Sequence, residues 1–126
     1  PAESAVPFPV YRISRFHREL FTIRFGKNVV NLLCRDIVYL ESNKRKVIVH
    51  TVRGEYEYYH KLDEAEEELL AISADFVRIH KAYLVNMEHI EAFQYAKLAL
   101  RDGTILSISE AHRANVRSRF WEWGSE

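Results

Sequence analysis

Basic side chains gather at three places along the chain, and these are the residues whose types and spacing could perform chemistry. The first is SNKRK, the second is RIHK, and the third is the last predicted helix. The side chains are Asn43, Lys44, Arg45 and Lys46, then Arg78, His80 and Lys81, and then His112, Arg113, Arg117 and Arg119. Lysine and arginine bind the phosphates of nucleic acids and the guanine edge in the major groove. Exposed charge is also ordinary on connections, so SNKRK can instead be a solubilising hairpin tip.

Residues for other kinds of chemistry do not form the spacings that such sites need. No HxH, HxxxH or HExxH pair typical of a metal site is formed by the six histidines, His17, His50, His60, His80, His89 and His112. The four glycines stand singly, not in a phosphate-binding loop. We therefore expect no enzyme, no metal and no cofactor.

The single cysteine, Cys34, excludes an internal disulfide and suits a reducing cytoplasm. We expect its thiol to be a small buried apolar group, because no Cys/His pair surrounds it. No apolar run approaches the length that crosses a bilayer, and no signal-peptide pattern opens the chain. The sequence therefore predicts a cytoplasmic protein without a membrane segment.

Charge is uneven along a chain whose 18 basic and 18 acidic residues cancel. Residues 1–62 carry five more basic than acidic groups, residues 63–75 carry six acidic groups and no basic one, and residues 76–126 have one basic group in excess. A single acidic segment thus offsets an otherwise basic chain. A separate basic face remains possible.

Short runs that alternate apolar and polar residues fill most of the chain and predict about nine β-strands. The runs are FTIRF, VVNLL, IVYLES, VIVHT, YEYYH, FVRIH, YLVN, LAL and TILSI. VRGE is predicted to be a hairpin centred near Arg53 and Gly54, which would bring His50 near Glu57 and His60 near Val47. In the clearest hairpin, Asp102 and Gly103 supply a positive-φ turn.

Two segments have helical spacing. In KLDEAEEELLAIS the apolar face is Leu62, Ala65, Leu69 and Ile72, and the acidic remainder is expected to face solvent. In SEAHRANVRSRFWEW the apolar face is Val116, Phe120 and Trp123, with Ser109 as a plausible N-cap. Three prolines open the chain, so residues 1–15 are expected to be a linker or domain junction before one domain, residues 16–126.

Several blocks in this order resemble the LytTR DNA-binding domains of bacterial response regulators. The blocks are DIVYLES (residues 36–42), the acidic helix, FVRIHKAYLVN (residues 76–86) and LRDGTILSIS (residues 100–109). The resemblance runs from about residue 16 to residue 120. It implies a mainly β fold, an elongated arrangement of small antiparallel β-sheets with two short helices.

The resemblance also implies a function. Such domains bind direct-repeat promoter sites in double-stranded DNA through loops inserted in the grooves, not through a recognition helix. They usually follow a phosphorylatable receiver domain in a two-component transcriptional regulator. We would then expect a receiver before residue 1, a monomeric isolated domain that binds a repeat weakly, and a full-length protein that is dimeric on DNA.

Carried over by position, the resemblance assigns DNA contact to the three basic loci. Arg45 or Lys46 is the expected base or phosphate contact of the first locus, and Lys81 that of the second. His80 can instead be a hydrogen-bonded structural residue. Many members have arginine after the serine that ends the last block, whereas this chain has Glu110. Glu110 can repel phosphate, accept from cytosine, or pair with Arg113, leaving contact to His112, Arg113 or Arg117.

Glu110 and the zero net charge motivate a second hypothesis. The same fold can be a protein-interaction module that has lost strong DNA binding. A nuclease is a third hypothesis, and it would need added divalent metal to degrade a probe.

Overall fold

A computed structural model of the protein describes residues 19–125, which contain ten strands and two α-helices. The strands are β1 (Leu20–Phe25), β2 (Asn28–Leu33), β3 (Ile37–Asn43), β4 (Lys46–Thr51), β5 (Gly54–Tyr59), β6 (Phe76–His80), β7 (Tyr83–Asn86), β8 (Ile90–Phe93), β9 (Lys97–Leu100) and β10 (Ile105–Ser107). The helices are α1 (Leu62–Leu70) and α2 (Arg113–Gly124), and 3-10 turns span Cys34–Asp36, Met87–His89 and Glu110–His112. The predicted linker, residues 1–15, and His17 lie outside the described residues.

The strands form three antiparallel sheets. β1 pairs with β2, β9 pairs with both β8 and β10, and the largest sheet has the order β5-β4-β3-β7-β6. Because β3 is the middle strand, it joins the β4–β5 hairpin to the β6–β7 hairpin. This mainly β arrangement of small sheets with two short helices confirms the predicted fold class.

Apolar residues on the two faces of the five-stranded sheet build separate cores. One face packs against β1, β2 and α1, and its buried residues include Leu40, Val49 and Phe76. The other face packs against the three-stranded sheet and α2, through Val77, Ile79 and similar side chains. The alternation along β6 therefore buries Phe76 on one side and Val77 on the other, since successive side chains of a strand point to opposite faces.

Both helices bury the faces that their spacing predicts. Leu62, Ala65 and Leu69 of α1 are buried. Val116 of α2 is fully buried, and Phe120 and Trp123 pack against the same core. Ser109 stands before the 3-10 turn, but its side chain makes no capping bond to the backbone, and α2 itself begins at Arg113.

Asn86 is buried where β7 ends. Its side-chain nitrogen donates to the carbonyl oxygens of Cys34 and Ile37, and its oxygen accepts from the Glu88 N–H at 2.9 Å. These bonds satisfy backbone groups of two chain segments that are far apart in sequence. Asn86 therefore fixes a turn, in agreement with the tendency of asparagine to bond local backbone.

Two sequence predictions need correction. The β4–β5 turn is Val52–Arg53, and His50 lies opposite Glu55 instead of Glu57. Gly54, at φ 141°, begins β5, and the Thr51 hydroxyl closes the turn by donating to the Gly54 carbonyl at 2.8 Å. By the same register, Tyr58 and not His60 lies opposite Val47. The described residues also hold one strand more than expected, because β8 has only four residues, two of them exposed, and so gives a weak pattern.

Candidate nucleic-acid interface

The first basic locus is the tip of the β3–β4 hairpin. Asn43 pairs with Lys46, so the loop has only two residues, Lys44 and Arg45. Lys44 has a φ of 60°, the one positive value at a non-glycine residue in the described chain. A two-residue hairpin loop requires such a residue, and glycine or asparagine usually supplies it. The tight turn thus holds a lysine in a conformation that its side chain disfavours.

The side chains at this tip differ in whether they contact other residues of the protein. Asn43, Lys44 and Arg45 are exposed, and their side chains make no hydrogen bond or ion pair with residues 19–125. Lys46 lies 3.6 Å from a carboxylate oxygen of Glu57, and its Nζ is 4.9 Å from the centre of the Tyr59 ring. The tip therefore offers two unpaired cations, with a third held loosely beside them.

The second locus is the turn between β6 and β7. The ring Nδ1 of His80 accepts from the backbone N–H of Ala82 at 3.0 Å, so the neutral ring carries its proton on Nε2. Tyr83 supports the same ring, with centroids 5.4 Å apart. Lys81 is exposed, and its side chain has no partner among the described residues. This turn thus combines an unpaired ammonium with an oriented imidazole N–H.

Arg78 is used inside the protein. Its Nε donates to the His80 carbonyl at 2.8 Å, and one terminal nitrogen donates to the Lys81 carbonyl at 2.7 Å. The other terminal nitrogen lies 2.8 Å from Asp63 and 2.7 Å from Glu66, both on α1. Only 13% of the side chain is exposed. The guanidinium therefore fastens the second locus to the acidic helix.

The third locus is the 3-10 turn before α2. The hydroxyl of Ser109 and Nδ1 of His112 lie 2.6 Å apart in a hydrogen bond, which leaves Nε2 of His112 without a partner in the described chain. Arg113 donates from Nε to the Ile108 carbonyl at 3.1 Å, and its guanidinium carbon lies 5.2 Å from the centre of the Tyr95 ring. The alternative pairing of Glu110 with Arg113 is not found, and Glu110 is exposed.

The two remaining arginines of α2 have different surroundings. Arg117 is exposed and has no side-chain partner within residues 19–125. Arg119 donates to the carbonyl oxygens of Ala74 and Phe76, where β6 begins. Because His80 ends that strand, Arg119 lies at the opposite end of β6 from the second locus.

The first two loci and the turn that begins the third lie at one end of the five-stranded sheet. The Ser42 N–H donates to the Ala82 carbonyl at 2.9 Å, which joins the first tip to the second turn. The Ser109 N–H donates to the Ile79 carbonyl at 3.0 Å, which joins the third turn to the outer edge of β6. The first tip, the second turn and the Ser109 turn thus form a row across the ends of β3, β7 and β6. Since neighbouring strands are about 4.8 Å apart, this row is about 17 Å long from the first tip to Ser109.

The groups with displaced pKa values do not belong to the basic loci. Burial raises the pKa of the Cys34 thiol to about 11 and that of Tyr39 to about 12. It also raises the pKa of Tyr58. A hydrogen bond from the Thr104 N–H is the main cause that holds the pKa of Asp102 below its ordinary value. Cys34 is 3% exposed and stays protonated at neutral pH, which agrees with the predicted buried apolar group.

The described chain holds neither a membrane-spanning helix nor a cluster of metal ligands. No helix within residues 19–125 is long and apolar enough to span a membrane. Over the same residues, no three His, Cys, Asp or Glu side chains converge to hold a metal ion.

Comparison with known proteins identifies the family. The model of the LytTr DNA-binding domain matches residues 27–121. The chain belongs to the LytTR family of DNA-binding domains. A sensory transduction protein, LytT of Bacillus subtilis (strain 168), is 26% identical over 97 residues, which are 73% of this chain and 39% of that protein. The chain thus spans about two fifths of the length of this relative.

A solved structure agrees with the LytTR fold. It is the LytTr DNA-binding domain of a putative methyl-accepting/DNA response regulator from Bacillus cereus. The TM-score is 0.67 at 20% identity, over 81% of this chain and 96% of the other. The sheets and helices described above are therefore those of the LytTR domain.

Sequence reasoning grouped the basic residues into three loci, and it missed how some of their side chains are held. The Arg78 clamp depends on where α1 packs, and no local pattern encodes that position. The hydrogen bond between Ser109 and His112 could have been predicted, because a serine three residues before a histidine can contact it across one helical turn. The stacking of Arg113 on Tyr95 joins two elements and had no signal in the sequence.

Proposed function

We propose that this chain is the sequence-specific output domain of a two-component transcriptional regulator and binds double-stranded DNA through its three basic loci. The observation that carries the proposal is the gathering of these loci at one sheet end, where Lys44, Arg45 and Lys81 have no partners in the described chain. Cations that are not paired within the protein can neutralise phosphates at little cost, since no ion pair has to be broken first.

The length of the row suits neighbouring grooves of one duplex. The centres of adjacent major and minor grooves lie half a helical turn apart, about 17 Å. This is close to the distance estimated between the first tip and the Ser109 turn. We assign phosphate contacts to Lys44, Lys81 and Arg117 and a base or phosphate contact to Arg45, with Asn43 beside it.

The remaining predicted residues take supporting roles in this proposal. Nδ1 of His80 accepts from the backbone of its turn, so its Nε2 can donate to a phosphate oxygen. His112 can do the same when the Ser109 hydroxyl is the donor in the bond to its Nδ1. Lys46 and Arg113 each combine a local contact with a partly exposed side chain. Arg78 positions the second turn, because its four hydrogen bonds are all internal.

The wider protein is part of the proposal too. The relative LytT is longer than this chain, which covers 39% of it. We propose that residues 1–15 link residues 16–126 to a receiver domain and that the protein acts in the cytoplasm. Dimerisation through the receiver would bring two domains to a direct repeat and raise their effective concentration there. The domain alone should then be monomeric and bind one repeat weakly.

Glu110 favours one alternative function, a protein-interaction module. Its carboxylate is exposed at the third locus, where it would repel phosphate. A module of this kind would bind its partner equally well after the first locus loses its charge.

Selection of duplexes from a randomised pool tests the proposal. Bound sequences should converge on one motif, and affinity for that motif should fall steeply with salt. Changing Lys44, Arg45 and Lys46 together to Ala should abolish this binding. Arg35→Ala is the matched control, because Arg35 is exposed, precedes β3 at the far end of the sheet and has no side-chain partner in residues 19–125. No enrichment at low salt, from a folded sample, would overturn the proposal.

A further inference from the structure

A cleft lined partly by cations lies beside the first locus. One of its cations, Arg24, belongs to none of the three basic loci. Arg24 and Gly26 at the β1–β2 turn form one wall. Lys46, Glu57, Tyr58 and Tyr59 from β4 and β5 form the other wall. The open volume is about 460 Å³, which admits a phosphate group with water.

Cations predominate in and around this cleft. Arg24 is exposed, and its side chain makes no hydrogen bond or ion pair with the described residues. Lys27 follows Gly26 in the same turn and is equally exposed and unpaired within that range. Glu57 is the one carboxylate in the lining. The cleft and its rim therefore hold a surplus of positive charge.

The ion pair inside the cleft is weak enough to exchange. Lys46 and Glu57 are 3.6 Å apart, and their side chains are 36% and 44% exposed. Exposed pairs of this kind contribute about 1 kcal/mol or less. Tyr59, 75% exposed, lines the same cleft with its ring centre 4.9 Å from the Lys46 Nζ, and its hydroxyl is a further donor. A phosphate oxygen can therefore replace the Glu57 carboxylate as the partner of Lys46.

The position of the cleft relates it to DNA. Lys46 directly follows the Lys44–Arg45 tip, and β5 is the edge strand on the side away from β6. The cleft thus lies beyond the first locus, on the side of the row away from the third locus. From β5 to the Ser109 turn the row is about 24 Å long, or about seven base pairs.

We propose that this cleft binds a backbone phosphate of the duplex that lies outside the segment read by the three loci. The inference rests on the proposed function, since it requires the same duplex to be bound. Arg24 supplies the principal cation, Lys46 and Tyr59 complete the site, and Lys27 stands at its rim. The contact holds flanking DNA and is independent of base sequence, because phosphates carry no sequence information directly.

Trimmed duplexes test this inference. The selected duplex is shortened stepwise from each end, and the affinities of the wild type, Arg24→Gln and Arg24→Lys are measured at several salt concentrations. One lost phosphate contact lowers the salt slope by about 0.9, which corresponds to about fivefold in affinity at physiological salt. Arg24→Gln should show this loss on the long duplex and none on the duplex that lacks the flank. Arg24→Lys should retain most of the affinity, and Arg35→Gln serves as the control.

Each other outcome has a defined meaning. If Arg24→Gln has the same affinity and salt slope as the wild type on both the long and the short duplexes, the cleft is not a phosphate site. If Arg24→Gln weakens both lengths equally, the claim that the contact lies outside the read segment is wrong. If the wild type binds no duplex, the proposed function fails first. Urea unfolding of each variant separates these results from loss of fold, which is not expected for an exposed strand residue.

Discussion

Replacing Arg78 by Lys should loosen the β6–β7 turn, the second of the proposed DNA contacts, without removing a phosphate contact. Lysine keeps the charge but lacks the planar fork that reaches two carbonyls and two carboxylates at once. The bonds at risk are those to the His80 and Lys81 carbonyls and the one to Glu66. The bond to Asp63 adds little, because that carboxylate is 85% exposed.

The expected loss of stability follows from these contacts. Two backbone acceptors lose a charged donor at about 1 kcal/mol each, and the half-buried pair with Glu66 weakens by about as much again. Arg78→Lys should therefore lower the free energy of unfolding by about 2–3 kcal/mol, measured by urea denaturation. Arg35→Lys, the same change at an exposed arginine with no side-chain partner in residues 19–125, should stay within about 0.5 kcal/mol.

DNA binding distinguishes this role from direct contact. Arg78→Lys should weaken binding while leaving the slope of log affinity against log salt unchanged. In Arg78→Gln the charge is also lost, yet the slope should still equal that of the wild type. A slope shallower by about 0.9 for Arg78→Gln, with unchanged stability for both variants, would refute the reasoning. Arg78 would then touch a phosphate, as its sequence position alone predicts.

Two further predictions concern single positions, and a third concerns the pH dependence of stability. Lys44→Gly should raise the free energy of unfolding by about 0.5–1 kcal/mol, because glycine has no Cβ to clash at a φ of 60° and this relief exceeds its larger loss of backbone entropy on folding. The same change should weaken DNA binding. Glu110→Gln should tighten DNA binding and steepen its salt slope, because it removes a carboxylate from the third locus. Stability should fall as pH rises above about 9, because folding raises the pKa of Cys34 to about 11 and that of Tyr39 to about 12. Both groups keep their protons in the folded state and lose them in the unfolded state, so alkaline pH favours unfolding.

Each of these predictions has a contrary result. Loss of stability in Lys44→Gly would mean that the lysine conformation is not strained. Unchanged binding by Glu110→Gln would mean that the carboxylate does not face a phosphate, and weaker binding would mean that it accepts a hydrogen bond from a base. A urea midpoint that holds steady from neutral pH to about pH 11, where Cys34 should titrate, would contradict the burial argument. Tyr39→Phe should make the alkaline decline shallower.

Local patterns predicted most of the strands and both helices, because alternation and helical spacing act over neighbouring residues. Phe21 and Ile23 are buried where the alternation of FTIRF places them, with Thr22 and Arg24 exposed. The predicted β4–β5 register was wrong because a positive-φ glycine can lie either within a turn or directly after it. In the structure Gly54 follows the turn, and the Thr51 hydroxyl donates to its carbonyl.

The grouping of the basic loci could not be derived from spacing. It depends on β3 pairing with β7, whose residues Glu41 and Tyr83 are far apart in sequence. It depends equally on the turn at Ser109 lying against Ile79. The resemblance to the family assigned DNA contact to the three loci, and the long-range pairings explain why their turns lie near one another.

The most direct test of the account compares charge removal at the two ends of the five-stranded sheet. Lys44 and Lys81 are changed together to Gln, and in a matched protein Arg35 and Arg53 at the opposite end are changed to Gln. The salt slope of duplex binding is measured for both by fluorescence anisotropy. The account predicts a slope shallower by about 1.8 for the first pair and an unchanged slope for the second. Equal slopes for both pairs, or a shallower slope for the Arg35 and Arg53 protein alone, would contradict it.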